Sequence, residues 1–193
     1  MGNAVAALKT MHDVGRVAEE LKKHRRSNLF YCLWVMQFES ALRFSDATLL
    51  KWEDFAEGKT HINIVQQKTG NRVEIKITET MRKVVELRRA EAESRPLLND
   101  YVFSLADLRS KGQPVSHNAV LEAFSSAGRR CGFKEVGSHT PRKSKGRVMF
   151  EAKKPIESIC KYLGQKSVDS TLFYIGIDQE AKDILSDEFT LHF

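Results

Sequence analysis

The segment from 139 to 174 carries the sharpest helix boundaries in the chain. Thr140 can cap a helix and Pro141 fits its first helical position, because proline lacks the N–H that would be unpaired there. Pro155 opens a second helix in the same way, and Gly164 ends it. The segment therefore begins with two short helices joined by a tight connection.

The same segment ends on a tyrosine and holds most of the positive charge. Ser167 is a suitable cap for a third helix, which places Tyr174 near the helix end. Between 139 and 166, eight basic residues face two acidic ones, so this segment matches the net charge of the whole chain, +6. The basic residues are Arg142, Lys143, Lys145, Arg147, Lys153, Lys154, Lys161 and Lys166. Clustered cations and a helix start both attract phosphate, so we expect a polyanionic partner.

Composition bounds the class of protein. A length of 193 residues suits one domain, 1–193, and the longest apolar run, Leu29–Met36, is far shorter than a membrane span. The first residues lack the basic and apolar regions of a secretory signal. Three widely spaced cysteines without a C-x-x-C pair argue against a disulfide framework or a zinc site. We expect a cytoplasmic protein without a membrane partner.

The upstream two thirds are predicted to be helical apart from one hairpin. Alternating β-branched and polar residues at 61–67 and 72–78 flank the turn KTGN, which places Lys68 on a hairpin tip. Arg43 stands between an apolar helix and a short helix capped by Ser45 or Asp46. The other predicted features are a helix over 12–24 capped by Asp13, a buried helix from Ser27, helices over 78–93 and 116–130, and a break at Pro96. The fold class is mainly α with a small antiparallel β-sheet (α+β).

Taken singly, the candidate residues have ordinary explanations. An arginine at a helix end, such as Arg43, is usually a surface charge, and a lysine in a hairpin turn, such as Lys68, is usually solvated. His139 before a helix can be a capping group, and Tyr174 on an amphipathic helix can pack against the core. A functional interpretation rests on their combination.

Four motifs occur in the chain in this order: ALRFSDATLLKWEDF, QQKTGNRVEI, HTPR and LGQKSVDSTLFY. Together they resemble the tyrosine recombinase (phage integrase) family, and the resemblance extends from about Asp13 to Asp178. The first motif supplies the family's first arginine at Arg43 and its following acid at Asp46, and the hairpin supplies the strand lysine at Lys68.

The remaining two motifs supply the rest of the family's site. HTPR matches the H-x-x-R box at His139 and Arg142, and the last motif matches L-G-[HWQ]-x-S-x-x-x-T-x-x-Y, giving Gln165 and Tyr174. At Gln165 relatives usually have histidine or tryptophan, and an amide can bond a phosphate oxygen but cannot act as an acid near neutral pH. The residue after the second arginine is Lys143, where many relatives have histidine.

The resemblance implies the DNA breaking and rejoining fold and a function for each site residue. Tyr174 would attack a DNA phosphodiester and form a 3′-phosphotyrosine, with no metal and no nucleotide cofactor. Arg43 and Arg142 would hold the phosphate, His139 would assist proton transfer, and Lys68 would protonate the leaving oxygen. Further contacts with the DNA backbone are expected from Lys143, Lys145, Arg147 and Lys166.

The resemblance also implies partners and an assembly. We expect double-stranded attachment-site DNA as the partner and a homotetramer on that DNA, with a monomer as an alternative for the free protein. Relatives usually carry an N-terminal core-binding domain, which we expect to be absent here. The tail 175–193 would either pack into a neighbouring protomer or fold on its own domain.

Three functions remain open from the sequence. The first is the site-specific recombinase or integrase of a phage or other mobile element. The second is a host resolvase or inversion recombinase, or a relative of the type IB topoisomerases. The third is a DNA-binding module of the same fold that has lost efficient cleavage, which Gln165 alone suggests.

Overall fold

A computed structural model describes residues 5–24, 26–93, 100–104 and 112–190. The helices there are α1 (Met11–Leu21), α2 (Ser27–Ser40), α3 (Phe44–Ala47), α4 (Glu79–Glu93), α5 (His117–Arg130), α6 (Thr140–Glu151), α7 (Ile156–Leu163), α8 (Val168–Ile175) and α9 (Ile177–Glu188). Strands β1 (His61–Val65) and β2 (Arg72–Lys76) form an antiparallel pair, with His61 opposite Lys76. The mainly α class with a small antiparallel sheet is confirmed. The break expected at Pro96 lies outside the described residues.

Helix α2 forms the centre of the core. Its residues are apolar on nearly every face, and it contacts α1, α3, α4, α5 and α6. Trp34 is fully buried, donates its indole N–H to the Val14 carbonyl at 3.2 Å, and meets the Phe124 ring edge-on at 5.0 Å. The buried helix expected from the sequence is thus the element on which α1, α3, α4, α5 and α6 pack. Among the described residues, no helix is long and apolar enough to cross a membrane.

Several predicted helix caps are confirmed, and others move by a few residues. Ser116 and Ser167 accept hydrogen bonds from the backbone N–H three residues on, as expected. Helix α1 is capped by Thr10 instead of Asp13, whose N–H bonds the Thr10 hydroxyl at 3.0 Å. Helix α2 is preceded by Arg26 as its N-cap, so Ser27 is already helical. At α1 the difference arises because the Thr10 hydroxyl takes the capping function expected of Asp13.

The N-caps observed for α3 and α6 differ from the predicted ones. Arg43, with extended backbone, caps α3, and Asp46 instead accepts the Gln67 N–H at 3.0 Å. His139 occupies the N-cap position of α6 without a side-chain cap bond, and the Thr140 hydroxyl accepts from the Gly137 N–H at 3.0 Å and donates to the Ala6 carbonyl at 3.1 Å. Both changes attach a motif residue to a distant part of the chain.

A second, smaller apolar cluster holds the C-terminal helices together. It comprises Ala41, Ile159, Leu163 and Ile175. Gly146 of α6 lies against it so closely that a Cβ there would be 2.8 Å from methyl groups of both Ile175 and Leu163. This contact fixes the position of α8 on α6 and α7.

We expect Gly146→Ala to destabilise the protein by about 1–3 kcal/mol, since the added methyl overpacks this contact. Gly15→Ala is the matched control, because Gly15 lies in α1 with nothing within 4 Å of an added Cβ. There the substitution should stabilise by about 0.5–1 kcal/mol through helix propensity. Urea unfolding of both variants checks the opposite signs, and an unchanged or higher stability of Gly146→Ala would contradict the packing described.

Candidate active site

One open cavity of about 530 Å³ gathers all six predicted catalytic side chains. Its lining residues are Val5, Arg43, Ser45, Lys68, His139, Arg142, Lys143, Gln165 and Tyr174. The six predicted catalytic residues come from the start of α3, the hairpin turn, the start of α6, the turn after α7 and the end of α8. Catalytic candidates up to 131 positions apart in the chain therefore meet around one cationic hollow.

Arg142 forms the floor of this cavity. It is only 2% exposed, and its two terminal nitrogens donate to the carbonyls of Ala41 and Leu163. Ala41 ends α2 in the left-handed conformation (φ 51°), which costs a non-glycine residue about 1 kcal/mol and turns the chain toward Arg43. The Arg142 guanidinium thus ties together the ends of α2 and α7.

Part of the hydrogen-bonding capacity of Arg142 is unused. Its Nε atom is buried and has no partner among the described residues. Burial lowers the pKa of Arg142, with Arg43 acting in the same direction and Tyr174 and Asp46 opposing, yet a guanidinium stays charged in proteins. A buried cation with a free donor is a binding group for an anion.

Tyr174 lies within reach of this charge. Its ring packs on the small apolar cluster, 5.9 Å from the guanidinium carbon of Arg142 and 5.2 Å from the Lys143 ammonium. Burial raises the pKa of the Tyr174 phenol, and the positive charges of Arg142 and Arg43 offset part of that increase. The hydroxyl is therefore protonated near neutral pH, and its use as a nucleophile requires a proton acceptor.

His139, which lines the same cavity, is a candidate for that acceptor. Burial lowers the pKa of its imidazole, and the charges of Arg142 and Lys143 among its neighbours lower it further. The ring is therefore neutral at pH 7. Its Nδ1 atom is buried without a hydrogen-bond partner among the described residues.

The lowered pKa of His139 predicts a pH-dependent stability. Since its folded pKa lies below the unfolded value near 6.5, the unfolded chain binds more protons in that window. The free energy of unfolding should therefore fall as pH drops from about 6.5 through the folded pKa, by less than about 1.4 kcal/mol per pH unit. Urea unfolding of the wild type and of His139→Gln at several pH values checks this, and equal pH slopes would contradict it.

The two remaining motif residues lie at the cavity edge. Lys68 is exposed in the hairpin turn, three residues after the end of β1. Gln165 follows the left-handed C-cap Gly164, and its N–H donates to the Cys160 carbonyl at 3.0 Å. The amide of Gln165 and the ammonium of Lys68 thus enter the same cavity from different elements.

Comparison with known proteins shows the family of the chain. Residues 10–181 match the model described as the phage integrase family, which is most of the chain. The chain belongs to the phage integrase family. A relative described as the probable integrase/recombinase YoeC of Bacillus subtilis (strain 168) is 29% identical over 160 residues, covering 83% of this chain and 82% of the relative.

Solved structures of recombinases and an integrase share the fold of this chain. XerH recombinase in a post-cleavage complex with palindromic difH has a TM-score of 0.72 at 16% identity, covering 95% of this chain and 53% of XerH. XerA recombinase gives 0.68 at 17% identity, with 100% and 66% covered. A λ integrase (75–356) dimer bound to a COC′ core site gives 0.66 at 18%, with 91% and 60% covered. The tyrosine recombinase fold is confirmed, and the chain spans between half and two thirds of these proteins.

The four basic residues expected to contact DNA occupy different environments in this family member. Lys143 lines the cavity but donates to the Val5 carbonyl at 2.6 Å, and Lys166 is exposed beside Gln165. The ammonium of Lys145 lies 4.7 Å from the centre of the Phe38 ring. Only Lys143 and Lys166 thus sit in or next to the site.

The expectation of a DNA contact does not fit Arg147. It is 5% exposed, its Nε bonds Glu151 at 2.6 Å, and its terminal nitrogen donates to the Gly176 carbonyl at 3.4 Å. Like Gly146, it belongs to the buried side of α6. Arg147 therefore links α6 to the turn between α8 and α9.

Sequence reasoning missed two residues beside the site. Gln66 accepts a hydrogen bond from Arg43 at 2.8 Å, and it continues the buried face of β1 after Ile62 and Ile64, a period-two signal that could have revealed it. Val5 lines the cavity because its carbonyl and that of Ala6 accept hydrogen bonds from Lys143 and Thr140 of α6. No sequence motif includes Val5.

Proposed function

We propose that this chain is a site-specific DNA recombinase that breaks and rejoins strands through a 3′-phosphotyrosine on Tyr174, as the integrase of a phage or other mobile element. The observation that carries the proposal is the meeting of Tyr174, Arg142, Arg43, His139 and Lys68 in one cavity. A phenol beside two guanidinium groups and a neutral imidazole is the set needed to attack a phosphodiester.

The proposed first step transfers the phosphoryl group to the enzyme. The Tyr174 oxygen bonds to phosphorus while the bond from phosphorus to the 5′-oxygen breaks. His139 accepts the phenol proton, and Lys68 supplies a proton to the departing 5′-oxygen. The products are a 3′-phosphotyrosine and a free 5′-hydroxyl, and rejoining reverses each transfer.

The arginines would stabilise the charge that develops at phosphorus. Arg142 is held by two carbonyls and Arg43 by Gln66, so neither guanidinium has to be ordered when the phosphate enters. Gln165 can donate its amide N–H to another phosphate oxygen. We propose that this fixed positive charge makes a metal or nucleotide cofactor unnecessary.

The proposed partner is double-stranded attachment-site DNA, bound by a homotetramer, with 1–193 acting as a catalytic domain in the cytoplasm. Solved λ integrase structures include a tetramer on a Holliday junction, at a TM-score of 0.62. On α9 and just after it, Ile184 and Phe189 are 57% and 81% exposed. Such apolar exposure supports a tail, 175–193, that packs on a neighbouring protomer.

A second candidate is a DNA-binding module without efficient cleavage, favoured by Gln165, whose amide cannot act as an acid.

A nicked suicide substrate separates the two functions. It is built on DNA that the chain selects from a random duplex pool, with the nick beside the mapped cleavage position. A recombinase should form a detergent-resistant protein–DNA adduct and release a free 5′-hydroxyl. The adduct should also form when excess chelator removes metal ions. Salt-sensitive binding without an adduct would establish the module instead.

A further inference from the structure

We propose that Gln66 is a positioning residue that couples Arg43 to the hairpin carrying Lys68. This inference rests on the proposed function, because it assigns Gln66 an effect on the cleavage step. Gln66 does not line the cavity that holds Tyr174; it lines an adjoining cavity of about 440 Å³ on the other side of Arg142. Any effect on the phosphate must therefore pass through its neighbours.

The side-chain oxygen of Gln66 joins two elements. It accepts one hydrogen bond from an Arg43 terminal nitrogen at 2.8 Å and another from the Thr69 hydroxyl at 2.9 Å. Both lone pairs of the oxygen are thereby used. Gln66 itself is 4% exposed, so these bonds are largely protected from competing water.

The backbone of Gln66 closes the turn that presents Lys68. Its N–H donates to the Asn71 carbonyl at 2.9 Å, and its carbonyl accepts from the Gly70 N–H at 2.8 Å. The next residue donates its N–H to Asp46 of α3. The hairpin tip is thus attached to α3 by two adjacent links, one through each of the residues that precede Lys68.

Gly164, the residue before Gln165, lines the same adjoining cavity as Gln66. Gly164 has a positive φ of 57°, and a Cβ built there would lie 3.8 Å from the Gln66 side-chain nitrogen. Three parts of the site therefore meet at Gln66: the α3 start, the hairpin and the α7 end. A shift of this one side chain would change the relative placement of Arg43 and Lys68.

A neutral amide suits this position better than a carboxylate. Arg43 has a long side chain whose rotamer freedom must be restricted before it can hold a phosphate. A glutamate at 66 would restrict it but would also neutralise part of the charge that the phosphate needs. Glutamine orients the guanidinium and leaves its full charge available.

The test compares Gln66→Met with Gln67→Met in single-turnover adduct formation. Methionine has a similar size but no acceptor oxygen, and the exposed Gln67 contributes only its backbone N–H to the link with Asp46. Each variant is assayed on the suicide substrate and on one with sulfur in place of the scissile 5′-oxygen. A thiolate leaves without a proton, so sulfur removes the need for Lys68.

Gln66→Met should slow cleavage of the oxygen substrate about 10- to 100-fold, the effect of losing hydrogen bonds that include one to a charged group. On the sulfur substrate the rate loss of Gln66→Met should be smaller, because proton donation by Lys68 of the hairpin is no longer needed. A rate loss of at least about threefold should remain, because Arg43 is still less well oriented. Gln67→Met should match the wild type on both substrates.

Three results for Gln66→Met would contradict the proposed coupling. They are a rate loss below about twofold on the oxygen substrate, an equal rate loss on both substrates, or a wild-type rate on the sulfur substrate. Thermal unfolding of each variant shows whether Gln66→Met folds. If it does not fold, Thr69→Val in the exposed turn takes its place. This variant should form the adduct more slowly on the oxygen substrate and at the wild-type rate on the sulfur substrate. An unchanged rate on oxygen, or an equal rate loss on both substrates, would then contradict the proposal. A wild type that forms no adduct would instead refute the proposed function.

Discussion

Tyr174→Phe is expected to eliminate the covalent protein–DNA adduct while leaving duplex binding nearly unchanged. Phenylalanine keeps the ring that packs on the cluster of Ala41, Ile159 and Leu163 but lacks the attacking oxygen. Because a phosphodiester cannot be transferred to a hydrocarbon ring, no residual rate is expected. Denaturing gels of the suicide-substrate reaction measure the adduct, and fluorescence anisotropy measures the binding.

Tyr162→Phe is the matched control for this prediction. Tyr162 is 46% exposed, lies outside the cavity, and donates its hydroxyl to the Glu39 carbonyl at 3.0 Å. Its variant should form the adduct at the wild-type rate. An adduct that survives in Tyr174→Phe, or that disappears only in Tyr162→Phe, would assign the nucleophile elsewhere.

Arg142→Lys should lower the rate of adduct formation by about 10³-fold or more, the range seen for arginines in phosphoryl transfer. Lysine keeps the charge but lacks the planar fork that reaches Ala41 and Leu163 while leaving Nε free. Duplex affinity should change by less than about tenfold, since this is one of several phosphate contacts. Single-turnover kinetics and anisotropy separate the two quantities.

Arg147→Lys tests whether the loss is specific to position 142. The substitution is identical and lies in the same helix, but Arg147 is paired with Glu151 and directed away from the cavity. The rate of adduct formation should stay within about threefold of the wild type. A loss at 147 equal to that at 142 would show that α6 tolerates no lysine on its inner face, and the catalytic interpretation of Arg142 would fail.

The sequence could place the motif residues at element boundaries because each of those boundaries has its own local signal. Pro141, Gly164 and Ser167 mark helix ends through backbone geometry that is independent of the rest of the fold. The turn after β1 likewise places Lys68 from local chemistry alone. The convergence of these residues on one cavity agrees with the family resemblance.

The features that were missed depend on contacts between distant segments. His139 occupies the N-cap position of α6 while the Thr140 hydroxyl donates to the Ala6 carbonyl, 134 positions away, and no local pattern contains that contact. Arg147 looked like a DNA contact because charge counts do not say which helix face is buried. Gln66 looked like an ordinary strand residue, because its partner Arg43 is 23 positions away. In all three cases, hydrogen bonds between distant segments determine the environment of the residue.

The most direct test of the account is to identify the residue that carries the DNA. Trypsin should release the peptide from Ser167 to Lys182, in which Tyr174 is the only tyrosine. Tandem mass spectrometry of the nuclease-trimmed adduct should place a 3′-linked nucleotide on Tyr174. A nucleotide on Tyr31, Tyr101 or Tyr162, or a linkage through the 5′-phosphate, would contradict the proposed phosphotyrosine chemistry.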